Sequence, residues 1–315
     1  MQTLFRQLFR PRPSLSFERE IIGFDDGGEC AVDWMFPKGT NELTPLVVYL
    51  PGITGSTHDC AYILHSVAQS STLGYRSVVV NCRGLGGVPL KTPRTYNAAN
   101  TSDLKYIMSL IRDRFPHAPK IGCGFSMGGM LLWNYLASFS SADECGLKAA
   151  LCISSPWNPV ESSFEFEKFF PRVVFNAHLA ENLKRLISPY EEMFAGICDW
   201  EAVMASKTVR EFDKAFVVPV FGYNTWLDYY QDAALDWKVD RIPIPTLCLN
   251  AADDCFSPVG AIPFQNIARS KNVAVAVTEH GGHLAFMRDS NPASPGLIDD
   301  LIVQFSSMIF SGKSI

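Results

Sequence analysis

The hydrophobic and polar positions of this chain follow two alternating rhythms. Continuous apolar runs of strand length fall at Leu46–Leu50, Arg76–Asn81, Lys120–Cys123, Lys148–Ser154, Pro245–Asn250 and Asn272–Thr278. Runs of this kind predict strands buried on both faces. Between them lie segments of helical period at Ala61–Val67, Thr101–Phe115, Met127–Phe139 and Pro258–Arg269, with a closing one at Leu297–Phe310. Thr101–Phe115 shows the pattern well, with Leu104, Ile107, Met108 and Ile111 on one face and Asp103 in the first turn. Near the start, Glu18–Phe24 and Glu29–Phe36 flank Asp25-Asp26-Gly27-Gly28 and predict a β-hairpin. Strands alternating with helices predict an α/β fold, with a mostly parallel central sheet and helices on both faces.

Two stretches depart from that rhythm. Residues 1–16 form a basic N-terminal segment with Arg6, Arg10 and Arg12, and Leu4, Phe5, Leu8 and Phe9 share one helical face. That face suits a membrane-surface anchor or a helix docked on the domain. The domain proper is expected over 17–315. Within it, about 156–240 is helical in texture and rich in aromatics, and is read as a lid insertion. Most of its aromatics should form lid core, and a few should line an apolar pocket.

Composition narrows the function classes. The chain has 315 residues, 47% hydrophobic and 19% charged, enough for one large domain with a full core. A net charge of -5 without a basic stripe argues against nucleic acid as a partner. The nine cysteines are scattered (30, 60, 82, 123, 145, 152, 198, 248 and 255) with no C-x-x-C pair. Several lie in apolar runs, which fits reduced thiols in a cytosol-facing protein. No apolar run reaches the ~18 residues needed to span a bilayer. No oligomeric state is expected from the sequence.

The candidate chemistry centres on Gly124-Phe125-Ser126-Met127-Gly128, a G-x-S-x-G pentapeptide between a short strand and a helix. This is the setting of a nucleophile elbow, in which the flanking residues must be glycine for the chain to turn sharply. Serine needs a general base, usually histidine. Ligand sites in such sheets form at the carboxyl ends of the strands, which favours His283 and His280, after the last strand. His283 follows Gly281-Gly282, so its backbone can reach back toward Ser126, and His280 reads as a loop residue. His58 opens the helix after the 51–57 loop and reads as a helix-start residue. The partner carboxylate is Asp254, with D-x-x-x-P spacing to Pro258, or else its neighbour Asp253. The order Ser126, Asp254, His283 is the one this elbow motif expects. An oxyanion would be held by the backbone N–H of Met127 and one from the loop after Leu46–Leu50, assigned to Ile53 with Thr54 as alternate. The turn Cys82–Gly87 lacks the spacing of a phosphate loop and reads as a tight turn at the rim of a site. No cofactor and no metal are expected.

Several stretches together carry a family resemblance. They are Leu-Pro-Gly-Ile-Thr-Gly-Ser (50–56), Asn-Cys-Arg-Gly (81–84), Thr-Pro-Arg-Thr-Tyr (92–96), Gly-Phe-Ser-Met-Gly-Gly-Met-Leu (124–131) and Arg-Glu-Phe-Asp (210–213). Phe-Gly-Tyr (221–223), Ala-Ala-Asp-Asp-Cys-Phe-Ser-Pro (251–258) and Gly-Gly-His-Leu-Ala-Phe (281–286) complete the set. The chain resembles the α/β-hydrolase-domain proteins of the one/three group, which takes in yeast medium-chain ethyl-ester synthases/esterases and bacterial esterases. The resemblance is strongest to its phospholipase branch, acting on phosphatidylcholines with medium-length or oxidised acyl chains. It implies the α/β-hydrolase fold and a serine esterase or phospholipase of lipid esters using Ser126, Asp254 and His283. It also implies a membrane-anchored enzyme, although the N-terminal transmembrane helix usual in the family is not in this chain. The chain also departs from the family pattern at Ala285, where glycine is common, and in a shorter C-terminal region. A membrane surface is therefore an expected partner, with the protein cytosol-facing and peripheral. An acyltransferase using the same triad is the alternative, although the H-x4-D signature is missing and Asp289 lies one residue too far from His283. A non-catalytic binder of lipid or of a partner is the reading from another class.

Overall fold

The structure, a computed structural model, describes residues 3, 6 and 9–312. Eight strands form one sheet: β1 (Glu18–Gly23), β2 (Glu29–Met35), β3 (Leu46–Leu50), β4 (Arg76–Val80), β5 (Lys120–Phe125), β6 (Ala149–Ile153), β7 (Thr246–Ala251) and β8 (Val273–Thr278). Their order is β1-β2-β4-β3-β5-β6-β7-β8. From β4 through β8 every neighbouring pair is parallel, and only the β1–β2 hairpin and its junction with β4 are antiparallel. This is the mostly parallel sheet that the continuous apolar runs predict.

Alternation along the strands divides the core between two faces. Val47 and Tyr49 of β3, with Ile121 and Cys123 of β5, pack under helices α1 (Ala61–Thr72) and α8 (Leu297–Phe310). Val48 and Leu50, with Val78 and Val80 of β4, pack on the opposite face. There they meet α2 (Ser102–Arg114), which buries the predicted Leu104, Ile107, Met108 and Ile111, and α3 (Met127–Leu136), in which every residue is buried. All nine cysteines are free thiols.

The long connection from β6 to β7 is helical, as its texture predicts. It includes α4 (Pro159–Phe166), α5 (Ala177–Ile187) and α6 (Trp226–Ala233), with wide π-helical turns at Arg172–Asn176 and Asp213–Val217. Asn176 ties parts of this insertion together: its amide donates to the Phe166 carbonyl at 3.1 Å and accepts the Val209 N–H at 2.7 Å.

Some predictions need correction. The helix expected over Pro258–Arg269 shrinks to α7 (Phe264–Arg269), preceded by a single 3-10 turn at Val259–Ala261. Pro263 lies between them and has no N–H to continue the turn. The 82–87 turn does not border the cavity beside Ser126. Instead it carries Arg83, whose buried guanidinium pairs with Asp26 at 2.7 Å and Asp103 at 2.6 Å, tying the hairpin turn to α2. At the N-terminus, Leu4, Phe5 and Leu8 lie outside the described residues. Arg6 and Arg10 both reach Asp299 of α8, at 3.1 and 2.9 Å. Those two charges face the domain, whereas Arg12 is exposed and donates to the His58 carbonyl at 3.1 Å.

Candidate active site

The pentapeptide forms a tight turn between β5 and α3 with Ser126 at its apex. Ser126 has φ 53° and ψ -121°, a backbone state that L-residues rarely adopt. Close packing explains the two flanking glycines. A Cβ on Gly128 would collide with the carbonyl oxygens of Leu50 and Pro51, and one on Gly124 would sit 2.5 Å from the Gly129 Cα. The turn therefore places the serine over the carboxyl end of β5, within reach of the loops after β3, β7 and β8.

Three predicted side chains meet there. His283 Nε2 lies 2.8 Å from Ser126 Oγ, and His283 Nδ1 lies 2.8 Å from Asp254 Oδ2. The other oxygen of Asp254 accepts the Phe256 N–H at 2.9 Å, which fixes the carboxylate. The Asp254 side chain is fully buried and that of His283 is nearly so. Residue 253 faces elsewhere. Asp253 Oδ1 accepts the backbone N–H groups of Gly281 and Gly282 at 3.0 and 2.7 Å, so it holds the loop that carries His283. His280 is exposed and 3.9 Å from Asp253, and His58 is exposed in the turn before α1.

The loop after β3 leaves one amide uncommitted. Gly52 donates to the Tyr62 hydroxyl at 3.0 Å, Thr54 donates to the Tyr96 hydroxyl at 3.1 Å, and Gly55 donates to the Gly52 carbonyl. Pro51 has no N–H, so Ile53 carries the available one. Thr54, the alternate donor, is already occupied. Met127 opens α3, where an N–H has no intrahelical acceptor. Ile53 and Met127 line the same cavity as Ser126.

That cavity, of about 140 Å³, is mostly apolar. Ala98, Met130, Pro156, Phe166 and Leu179 contribute to its walls. Phe256 stands at its edge, stacked on the His283 ring with centroids 4.1 Å apart and touching Phe166 and Phe175 of the insertion. One carboxyl enters this apolar lining. Asp213 accepts the Tyr230 hydroxyl at 2.9 Å, and burial pushes its pKa up to about 7. Among the described residues no group of three or more His, Cys, Asp or Glu is arranged to hold a metal ion.

Sequence reasoning missed several of these contributors. Tyr62 and Tyr96 hold the 51–55 loop, Phe256 covers the histidine, and the Thr3 hydroxyl accepts the His283 N–H at 2.8 Å. These are long-range contacts without a local signature. Asp213 did leave a trace, as the last residue of the Arg-Glu-Phe-Asp stretch at 210–213.

A mostly parallel sheet with a serine elbow, and an acid and a histidine at later strand ends, defines the α/β-hydrolase class. The chain belongs to that family: residues 45–290 match the family described as alpha/beta hydrolase fold. It is 48% identical over 313 residues to protein abhd-3.2 of Caenorhabditis elegans, covering 99% of this chain and 83% of that one. It is 38% identical over 320 residues to human phospholipase ABHD3, covering 100% of this chain and 78% of the relative. Among solved structures, a Pyrococcus furiosus esterase superposes with a TM-score of 0.62 at 16% identity, covering 97% of each chain, a likeness of fold.

Proposed function

We propose that this chain hydrolyses acyl esters of glycerophospholipids, with medium-length acyl chains, through an acyl-enzyme on Ser126. The reaction class is carboxylic-ester hydrolysis; the proposal adds the residues and the phospholipid. The observation that carries it is the continuous hydrogen-bonded line from Asp254 through His283 to Ser126 Oγ, beside an apolar cavity. The phospholipid is supported by a relative, 38% identical to this chain, that is named as a phospholipase.

In this reading His283 Nε2 takes the Ser126 proton as Oγ attacks the ester carbonyl carbon. The negative charge that develops on the carbonyl oxygen is met by the N–H groups of Met127 and Ile53. The carbon–oxygen bond to the alcohol then breaks, and the His283 imidazolium protonates the departing oxygen. Water gives a proton to the same nitrogen and attacks the acyl carbon; the bond from that carbon to Oγ then breaks, and His283 passes the proton to Oγ, which releases the acid and restores Ser126. Asp254 keeps the ring in the tautomer with Nδ1–H toward the carboxylate and stabilises the imidazolium.

A fluorophosphonate probe with peptide mapping tests the proposal, alongside fatty-acid release from medium-chain phosphatidylcholine. Labelling confined to Ser126, with release lost in Ser126→Ala, is the expected result. A folded wild-type chain that neither labels nor releases acid overturns it.

A further inference from the structure

The helical insertion has an apolar face that the site does not use. Phe164, Phe169, Phe170 and Val173 fall within ten residues and are 54%, 86%, 54% and 61% exposed. Phe169 and Val173 are one helical turn apart. Four large apolar side chains left in water on one short segment mark an interaction surface rather than scattered exposure.

The same segment forms a wall of the site from its inner side. Phe166 and Asn176 line the cavity beside Ser126, and the rings of Phe166 and Phe175 pack on Phe256, which covers His283. At the edge, Phe164 lies against the Arg210 guanidinium at 5.4 Å, and Arg210 itself lines the cavity. One stretch of backbone thus presents aromatics outward and the cavity wall inward.

The charges around the patch indicate what it meets. Lys168 pairs with Glu165 at 2.6 Å, and Arg210 pairs with Glu167. Of the charged residues over 161–175, that leaves Glu161 and Arg172, one of each sign. Such a surface has no electrostatic pull toward anionic lipid, and exposed Phe side chains favour the headgroup–acyl boundary. In the N-terminal segment Arg6 and Arg10 are held by Asp299, and Arg12, exposed with its guanidinium on the His58 carbonyl at 3.1 Å, is the one cation there without an acidic partner among the described residues.

We propose that the outer face of residues 164–173 docks on a zwitterionic lipid bilayer, seating the Ser126 cavity against the membrane. This rests on reading that cavity as a lipid-ester site. The docking itself is apolar insertion of Phe164, Phe169, Phe170 and Val173.

The test uses flotation of the Ser126→Ala chain with phosphatidylcholine vesicles, which reports docking without turnover. The same chain carrying Phe169→Glu and Phe170→Glu is compared, with its thermal midpoint as the folding control. Vesicle partitioning should fall about tenfold or more in the Glu variant. It should change less than about twofold between 0.05 and 0.5 M salt, since little charge is involved. On the Ser126 background, the two Glu substitutions should cut hydrolysis of vesicle phosphatidylcholine and leave hydrolysis of soluble p-nitrophenyl butyrate unchanged.

Unchanged partitioning of a folded Glu variant overturns the proposal. So does binding that requires anionic lipid, or sedimentation showing that the substitutions dissociate a homodimer without affecting vesicle binding. If vesicles are bound through the patch but neither ester is cleaved, the hydrolase reading fails and the docking surface stands.

Discussion

Asp253 accepts the N–H of Gly282 at 2.7 Å, one residue before the histidine whose ring faces Asp254. Two adjacent carboxylates therefore support His283 in different ways, one through its backbone and one through its ring. Loss of each should be distinguishable. Asp254→Asn should lower kcat by roughly 10⁴-fold, because the amide favours the wrong imidazole tautomer. Asp253→Asn retains a carbonyl acceptor for the two amides and should cost about tenfold or less. Steady-state kinetics on a soluble ester compare them, and a larger loss for Asp253→Asn would reverse the two roles.

The Tyr96 hydroxyl fixes Thr54, which sits at φ 56° next to the proposed donor Ile53. Tyr96→Phe removes the acceptor and lets the strained loop relax. Donors aimed at a developing oxyanion act mainly on the transition state. The expected outcome is a fall in kcat of about tenfold to a hundredfold with a much smaller change in KM. A change in KM alone would place Tyr96 in substrate binding instead.

Asp213 couples the cavity to pH. Its folded pKa of about 7 stands above the ordinary 3.8, with burial as the main cause and the Tyr230 hydrogen bond opposing it. The native state therefore holds this proton more tightly than the unfolded chain. The stability it contributes is full below about pH 4, falls as the unfolded carboxyl ionises, and is gone above about pH 7. Across that window the shift amounts to about 4 kcal/mol at most. Asp213→Asn should flatten the pH dependence of the denaturation midpoint between pH 4 and 7 and raise stability at pH 8 relative to wild type. An unaltered slope would show that Asp213 titrates normally.

Gly128→Ala should be among the most destabilising single substitutions in the chain. The added methyl group would overlap the carbonyl oxygens of Leu50 and Pro51, which are backbone atoms at the carboxyl end of β3 and the start of its loop. Overpacking of this kind costs about 1–3 kcal/mol or more. Thermal unfolding should show a clear drop in midpoint, with activity lost even where some chain folds. Gly260→Ala, where the added atom meets nothing within 4 Å, is the matched control.

Much of this arrangement was legible in the chain itself. Continuous apolar runs identified the parallel strands, because a strand covered on both faces cannot alternate. The elbow was legible as a G-x-S-x-G pattern between a strand and a helix, although only the demand on Gly124 is local: Gly128 must be glycine because of the distant Leu50 and Pro51 carbonyls. Asp254 and His283 were within reach of inference because parallel strands deliver their following loops to one end of the sheet. What the sequence did not determine was side-chain direction. Asp253 and Asp254 are adjacent and chemically identical, and only the folded loops aim one at a ring and the other at two amides. Tyr62, Tyr96 and Phe256 join the site across distances that no spacing rule records. Inward Phe166 and outward Phe169 likewise look the same in sequence. Hydrophobicity says that a side chain prefers to leave water, whereas packing against the rest of the molecule decides which ones do.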